Sequence, residues 1–268
     1  MRNPPRTLFN TPDIELWPAW LLRARSNADA RILSRSTWLL RRKRDGAYLA
    51  AAPPEGLMPL HPRLAREPGL DEALDLLDAL PLRSEADPAP LPLHRLDERL
   101  QALGLDADPY AASTGLGLVA EPAALALAGF DRYRRPLWLV PGAARAWQRM
   151  REAAAREAVV LEAISGYRSH DYQLGIFERK RARGLELARI LEVNAAPGFS
   201  EHHAGDALDI SAPGEPAAEE SFEHTPAFAW LRRNAPDWGF SLSYPRDNPH
   251  GIVYEPWHWR YAPAADPA

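Results

Sequence analysis

Two short runs of the sequence concentrate residue types that hold metals. Ser200-Glu201-His202-His203-Ala204-Gly205-Asp206-Ala207-Leu208-Asp209 sets an imidazole and a carboxylate seven positions apart, with small residues between them where the chain can turn. Near the C-terminus, Tyr254-Glu255-Pro256-Trp257-His258-Trp259 supplies a second histidine with a glutamate three positions before it. Zinc accepts imidazole nitrogen and carboxylate oxygen at about 2.0–2.2 Å, and three protein ligands with one open position mark a catalytic rather than a structural site. His202, Asp209 and His258 are therefore the candidate ligands, with Glu255 as the candidate general base. In an extended run, residues 255 and 258 would face opposite sides, but Pro256 can break that alternation. Taken singly, each residue also has a plainer reading, as a packed histidine, a strand-end aspartate or a solvated carboxylate.

The elements needed to bring these runs together are legible in outline. Pro141 to Glu157 reads as a helix, with proline near its start and an alanine- and arginine-rich body. Val159 to Ile164 reads as a buried strand delivering Ser165-Gly166-Tyr167-Arg168-Ser169 at its end, followed by a helix over His170 to Ala182. Ala207 to Ser211 and Ile252 to Tyr261 read as strands that would carry Asp209 and His258, and Pro226 to Asn234 as a helix. Further upstream, Ser36 to Arg42 and Ala47 to Ala52 form an expected hairpin around Asp45-Gly46, and Leu70 to Leu80 and Leu96 to Leu103 are expected helices. The stretch from Pro81 to Pro92 holds four prolines in PLRSEADPAPLP, which favours an extended linker.

Bulk properties narrow the function classes. A chain of 268 residues with 46% hydrophobic and 25% charged residues is long enough for a packed core without staples. The absence of cysteine excludes disulfides, thiolate nucleophiles and cysteine-type zinc sites, so any zinc must rest on histidine and carboxylate. A net charge of −4 argues against general affinity for nucleic acid or anionic membrane, and Arg41-Arg42-Lys43-Arg44 is expected to be a solvated strand face. No stretch approaches the roughly 18 apolar residues of a membrane span, and the N-terminus lacks a readable secretion signal. The expected location is the cytoplasm, the alternative the periplasm or cell envelope; the oligomeric state is not legible.

Three segments, SGYRSHDYQ, PGFSEHHAGDALDI and YEPWHWRY, resemble the signature runs of the VanY-type D-alanyl-D-alanine carboxypeptidases. Those signatures are SGYRS-x-x-x-Q, S-x-H-x-x-G-x-A-x-D and E-P-W-H, in that order. The resemblance implies an α+β fold, a small antiparallel sheet with flanking helices carrying a zinc site, preceded by an N-terminal extension or small domain. It implies zinc on His202, Asp209 and His258, catalysis by Glu255 with Arg168, and substrate contacts from Arg168, Gln173 and Ser200. The partner so implied is a peptidoglycan stem peptide or precursor, cut at its D-Ala-D-Ala end. Residues 112–264 would form this peptidase domain, 81–111 a proline-rich linker with a short helix, and 1–80 an N-terminal region of unknown role. Arg168 has two readings, gripping the terminal carboxylate or stabilising the oxyanion. His203 stands where glutamine is frequent and is expected to contact substrate or solvent, while Trp257 and Trp259 pack the floor of the site. An L,D-carboxypeptidase or endopeptidase, and a non-catalytic peptide- or partner-binding module, are the alternatives.

Overall fold

The computed structural model describes residues 4–80 and 89–262. Residues 81–88, the larger part of the expected linker, lie outside the described residues, as do 1–3 and 263–268. The chain divides into two compact units, Met1–His94 with Pro122–Ala126, and Arg95–Glu121 with Leu127–Ala268.

The first unit is an antiparallel sheet with helices. It holds β1 (Thr7–Asn10), β2 (Ile14–Pro18), α1 (Asn27–Leu33), β3 (Trp38–Arg42), β4 (Tyr48–Ala52), β5 (Met58–Pro59) and α2 (Leu70–Ala79), and residues 124–126 of β6 (Ala124–Phe130) pair with β1. The strand order is β5-β4-β3-β2-β1-β6. Alternating strand residues Phe9, Ile14, Leu16, Leu40 and Leu49 bury one face, and Leu70, Leu74 and Leu77 of α2 pack against it at helical spacing. The β3–β4 hairpin turns at Asp45-Gly46, with Gly46 at φ +69° and the Asp45 carboxylate accepting from the Ala47 amide. The basic run at its tip is not a freely solvated face. Arg41 pairs with Glu15 at 2.8 Å, Arg42 pairs with Asp45 and Glu67, and Lys43 is buried, because acidic residues on β2 and in the loops meet the run from either side.

The second unit carries α3 (Leu96–Leu103), α4 (Ala107–Thr114), the end of β6, β7 (Pro136–Leu139), α5 (Pro141–Arg156), β8 (Glu162–Ser165), α6 (His170–Ala182), α7 (Leu187–Leu191), β9 (Ala207–Ser211), α8 (Pro226–Asn234), β10 (Phe240–Leu242) and β11 (His258–Tyr261). It takes in α3 because Leu96 and Leu100 pack with Phe199, Tyr244 and Ile252, and Leu103 with Phe177 and Ile190. A four-stranded antiparallel sheet, β10-β11-β9-β8, lies at its centre. All five residues of β9 are buried, as expected of a strand paired on both sides. Helix α5 begins with Pro141 at its first position and turns Ala143, Trp147, Met150 and Ala154 inward, a stripe at helical spacing. The architecture is α+β, as the resemblance implied. The last strand is shorter than the expected Ile252–Tyr261, because the chain turns at Pro256-Trp257 and becomes extended only at His258.

Candidate metal centre

Strand register brings two of the candidate ligands together. His258 on β11 lies directly opposite Asp209 on β9, and Ser165 on β8 pairs with the same aspartate from the other side. Facing residues on adjacent strands have neighbouring side chains, so Asp209 and His258 meet without any loop having to be ordered. His202 reaches them from a single 3-10 turn, Glu201–Ala204, which stops at Gly205 with φ +69°. Glu255 arrives through the turn before β11. Its amide donates to the Tyr244 carbonyl, and the His258 amide donates back to the Glu255 carbonyl at 3.2 Å. That turn places Glu255 Oε2 3.7 Å from His258 Nδ1, on the same side as the metal-ligand candidates.

The donor set fits a metal ion. One ligand atom from each of His202, Asp209 and His258 lies within 4.8 Å of the others, and all three residues are buried. His202 Nε2 is 3.3 Å and His258 Nδ1 3.2 Å from Asp209 Oδ1. A tetrahedron with ligand distances of about 2.0–2.1 Å has edges of about 3.3–3.4 Å, so these two spacings suit zinc. The second ring nitrogens fix the tautomers. His202 Nδ1 donates to the Gly166 carbonyl at 2.7 Å, and His258 Nε2 donates to Glu201 Oε2 at 2.9 Å. Nε2 of His202 is thereby turned toward the aspartate as a lone pair, and Nδ1 of His258 faces the same carboxylate, free to coordinate once the ring loses its proton; outer partners orient metal-binding histidines in this way.

A cation stands among these acceptors already. Arg168 Nη2 donates to Asp209 Oδ2 at 2.7 Å and lies 2.5 Å from His202 Nε2, while its Nε donates to Ser165 Oγ. Burial, reinforced by Arg168, lowers the His202 pKa to about 4, so its ring is neutral at pH 7. Burial would lower His258 as well, but hydrogen bonds to Asp209 and Glu201 override it and raise the ring to about 10. Burial would raise Glu201, yet the hydrogen bond and charge of His258 bring it down to about 2. Glu255 has less compensation, and burial raises it to about 7 against the pull of His258. A carboxyl poised near neutrality suits proton transfer at physiological pH.

Each residue of the 165–169 run has an assignable place. Ser165 accepts from Arg168, the Gly166 carbonyl holds His202, and the Tyr167 hydroxyl donates to Glu121 at 2.5 Å. Ser169 caps α6 by accepting from the Tyr172 amide. Gly166 is required by space, since a Cβ there would sit 2.8 Å from Leu137 Cδ1 and 2.9 Å from the Trp138 carbonyl oxygen. Gln173 and Ser200 are both buried and line, with Arg168, Tyr244 and Trp257, a cavity of about 410 Å³ over the metal centre. That volume falls in the range of small-ligand sites.

Two expectations need correction. His203 contacts neither substrate space nor solvent. It is fully buried, donates through Nδ1 to the Arg168 carbonyl at 2.7 Å and accepts through Nε2 from the Gly198 amide, because the 3-10 turn points it away from the metal side. Trp259 is not in the cavity floor either. It alternates away from His258 into the core, beside Phe228, while Trp257 does line the cavity. Sequence reasoning missed Glu201, which holds His258 and also pairs with Arg260 at 3.2 Å. Its only signal was adjacency to His202, and the signature leaves that position open.

Comparison with known proteins bears on this geometry. The family model for VanY, D-alanyl-D-alanine carboxypeptidase, matches residues 137–264. The bifunctional D-Ala-D-Ala dipeptidase and D-Ala-D-Ala carboxypeptidase VanXYC of Enterococcus gallinarum is 31% identical over 147 residues, covering 53% of this chain and 75% of that protein. The chain belongs to the VanY family. YodJ of Bacillus subtilis, a carboxypeptidase by name, is 41% identical over 124 residues, and the chain spans 44% of its length, a matching 44% of this chain. Among solved structures, the LdcB LD-carboxypeptidase shares 34% identity over 53% of this chain and 69% of that one, with a TM-score of 0.48. The matched residues 137–264 of the VanY family model include His202, Asp209, Glu255 and His258.

Proposed function

We propose that this chain is a zinc-dependent carboxypeptidase that removes the terminal D-alanine from peptidoglycan stem peptides or their precursors. The observation that carries the reading is the placement of Glu255, a buried carboxyl 3.7 Å from His258 Nδ1, beside three convergent metal donors at a cavity. Binding alone needs no base beside a metal, which speaks against a purely structural or peptide-binding module. His202, Asp209 and His258 would hold zinc, which supplies a Lewis acid that polarises a carbonyl and acidifies water.

Glu255 takes a proton from water as the water oxygen bonds to the scissile carbonyl carbon. The carbon–nitrogen bond then breaks, and the same carboxyl returns the proton to the leaving amine. Arg168 is held by Ser165 and Asp209 at the mouth of the donor set, so its guanidinium faces the developing oxyanion rather than swinging free as a carboxylate clamp. Ser200 and Gln173 supply polar contacts in the same cavity.

The test is digestion of stem peptides by the zinc-reconstituted protein, read by mass spectrometry. Loss of one D-alanine from a pentapeptide ending in D-Ala-D-Ala, with the tetrapeptide untouched, is the expected result. Release of D-alanine from the tetrapeptide instead would show an L,D-carboxypeptidase, and no release from either would reject the reading. For Arg168, a loss of affinity with turnover intact in Arg168→Ala would restore the carboxylate grip.

A further inference from the structure

The cationic groups of the cavity are not all accounted for by the metal centre. Arg168 is committed to Asp209 Oδ2 and Ser165, contacts that remain open to it when His202 Nε2 and Asp209 Oδ1 hold a metal. Lys180 lines the same cavity, and among the described residues its side chain has no hydrogen-bond or ion-pair partner. The register of α6 puts it there. Gln173, Phe177 and Lys180 are spaced i, i+4 and i+7 and so share one helix face, and Gln173 and Phe177 on that face are buried. A lysine that continues an inward-facing stripe needs either an anion or an outlet to water, and the cavity is its outlet.

A further observation describes what the cavity lacks. Burial lowers the Lys180 pKa, Arg168 adds to the effect and Glu255 opposes it, so the ammonium is under-compensated within the protein. The cavity thus offers a cation without a side-chain partner. A peptide carrying a carboxylate matches it.

Resting on the carboxypeptidase reading, we propose that Lys180 is a specificity-determining residue that pairs with a carboxylate of the peptide substrate. That carboxylate is either the terminal α-carboxylate of the leaving residue or a side-chain carboxylate on the residue preceding the D-alanines.

Binding is measured by calorimetry on the zinc-loaded full chain carrying Glu255→Ala, so that peptide persists. Three peptides are used: a free-acid pentapeptide with an acidic third residue, its C-terminal amide, and an analogue whose third residue bears an amine instead. Lys180→Met is expected to weaken the free-acid peptide by about 10- to 100-fold, the loss of one charge-assisted hydrogen bond, and Lys180→Arg to restore most of it. If the α-carboxylate is the partner, the amide binds the Lys180 form as weakly as the free acid binds Lys180→Met, with no further loss in combination. If the side chain is the partner, the amine-bearing analogue behaves in that way. Equal affinity of the Lys180 and Lys180→Met forms for the free-acid peptide overturns the proposal.

With Glu255 intact, Lys180→Met should raise KM by the same factor, leave kcat within about threefold and leave zinc content unchanged. A fall in kcat at constant KM also overturns it. The two readings fail separately. Lys180-dependent binding without hydrolysis by the unsubstituted enzyme rejects the carboxypeptidase and keeps carboxylate recognition, whereas hydrolysis with Lys180-independent binding does the reverse.

Discussion

Loading metal-free protein with zinc should expel a proton from His258. Its ring lies between Asp209 at 3.2 Å and Glu201 at 2.9 Å, and these two carboxylates raise its pKa to about 10. His202, at about 4, is already neutral, so among the ligand histidines only His258 must give up a proton before its Nδ1 can coordinate. At pH 7 the ring is protonated by about 10³ to 1, three units below its pKa. Proton competition therefore weakens apparent zinc affinity by about 10³, or ~4 kcal/mol at ~1.36 kcal/mol per unit. The sign follows from a folded pKa raised above the ordinary 6.5. The stabilisation that protonated His258 gives the metal-free fold is complete below about pH 6.5 and lost as pH rises through about 10, while zinc affinity climbs over the same interval. Calorimetric titration at pH 8 in buffers of different ionisation enthalpy reads the proton count, at a pH where Glu255, with its pKa of about 7, is mostly ionised. At least one proton should be released per zinc, with affinity rising about tenfold per pH unit from 7 to 9. Ionisation of water at the site can only add to that count. Zinc binding with no proton release at pH 8 would therefore refute the reasoning.

Other outcomes follow from the same geometry. Glu255→Ala should keep stoichiometric zinc and lose about 10²–10⁴ in turnover, whereas His258→Ala should lose both; full hydrolysis by zinc-loaded Glu255→Ala would remove it as the base. Glu201→Ala frees the His258 ring and should cost about 10- to 100-fold in zinc affinity measured above pH 10, where proton competition is absent, with Glu201→Gln losing less; chelator competition distinguishes the two. Arg168→Met removes the cation that competes for Asp209 and His202, so zinc should bind at least as tightly while turnover falls about 10²–10³; weaker zinc would contradict the placement. Gly166→Ala forces a methyl against Leu137 and the Trp138 carbonyl and should cost about 1–3 kcal/mol, seen as a lowered melting temperature.

The metal-donor set is more legible in the sequence than the scaffold that gathers it. Asp209 and His258 were legible because each sits in a short run of distinctive residues, and their approach followed from strands that paired in register. Pro256 marks the break in alternation, but nothing in the run after it sets the length of the strand. Glu201 was hidden because a carboxylate beside a histidine is unremarkable until tertiary structure brings His258 to it from 57 positions away. His203 could not be placed from its neighbours, since a short 3-10 turn sends adjacent residues to different sides. Among the first 80 residues, the hairpin and α2 were readable from turn chemistry and helical spacing, but β1 and β2 are short and weakly patterned, and only pairing defines them.

The arginine among the metal donors bears on the order of events as the protein matures. Buried metal donors are costly to gather without a cation among them, and small metal-organised domains stay unfolded until their ion arrives. Here Arg168 sits on Asp209 and against His202, and the centre is built on a four-stranded sheet with its own core. On the proposed zinc reading, the chain would complete its folding with an internal cation as placeholder and be charged with metal afterwards, so that metal supply would control activity rather than survival of the protein.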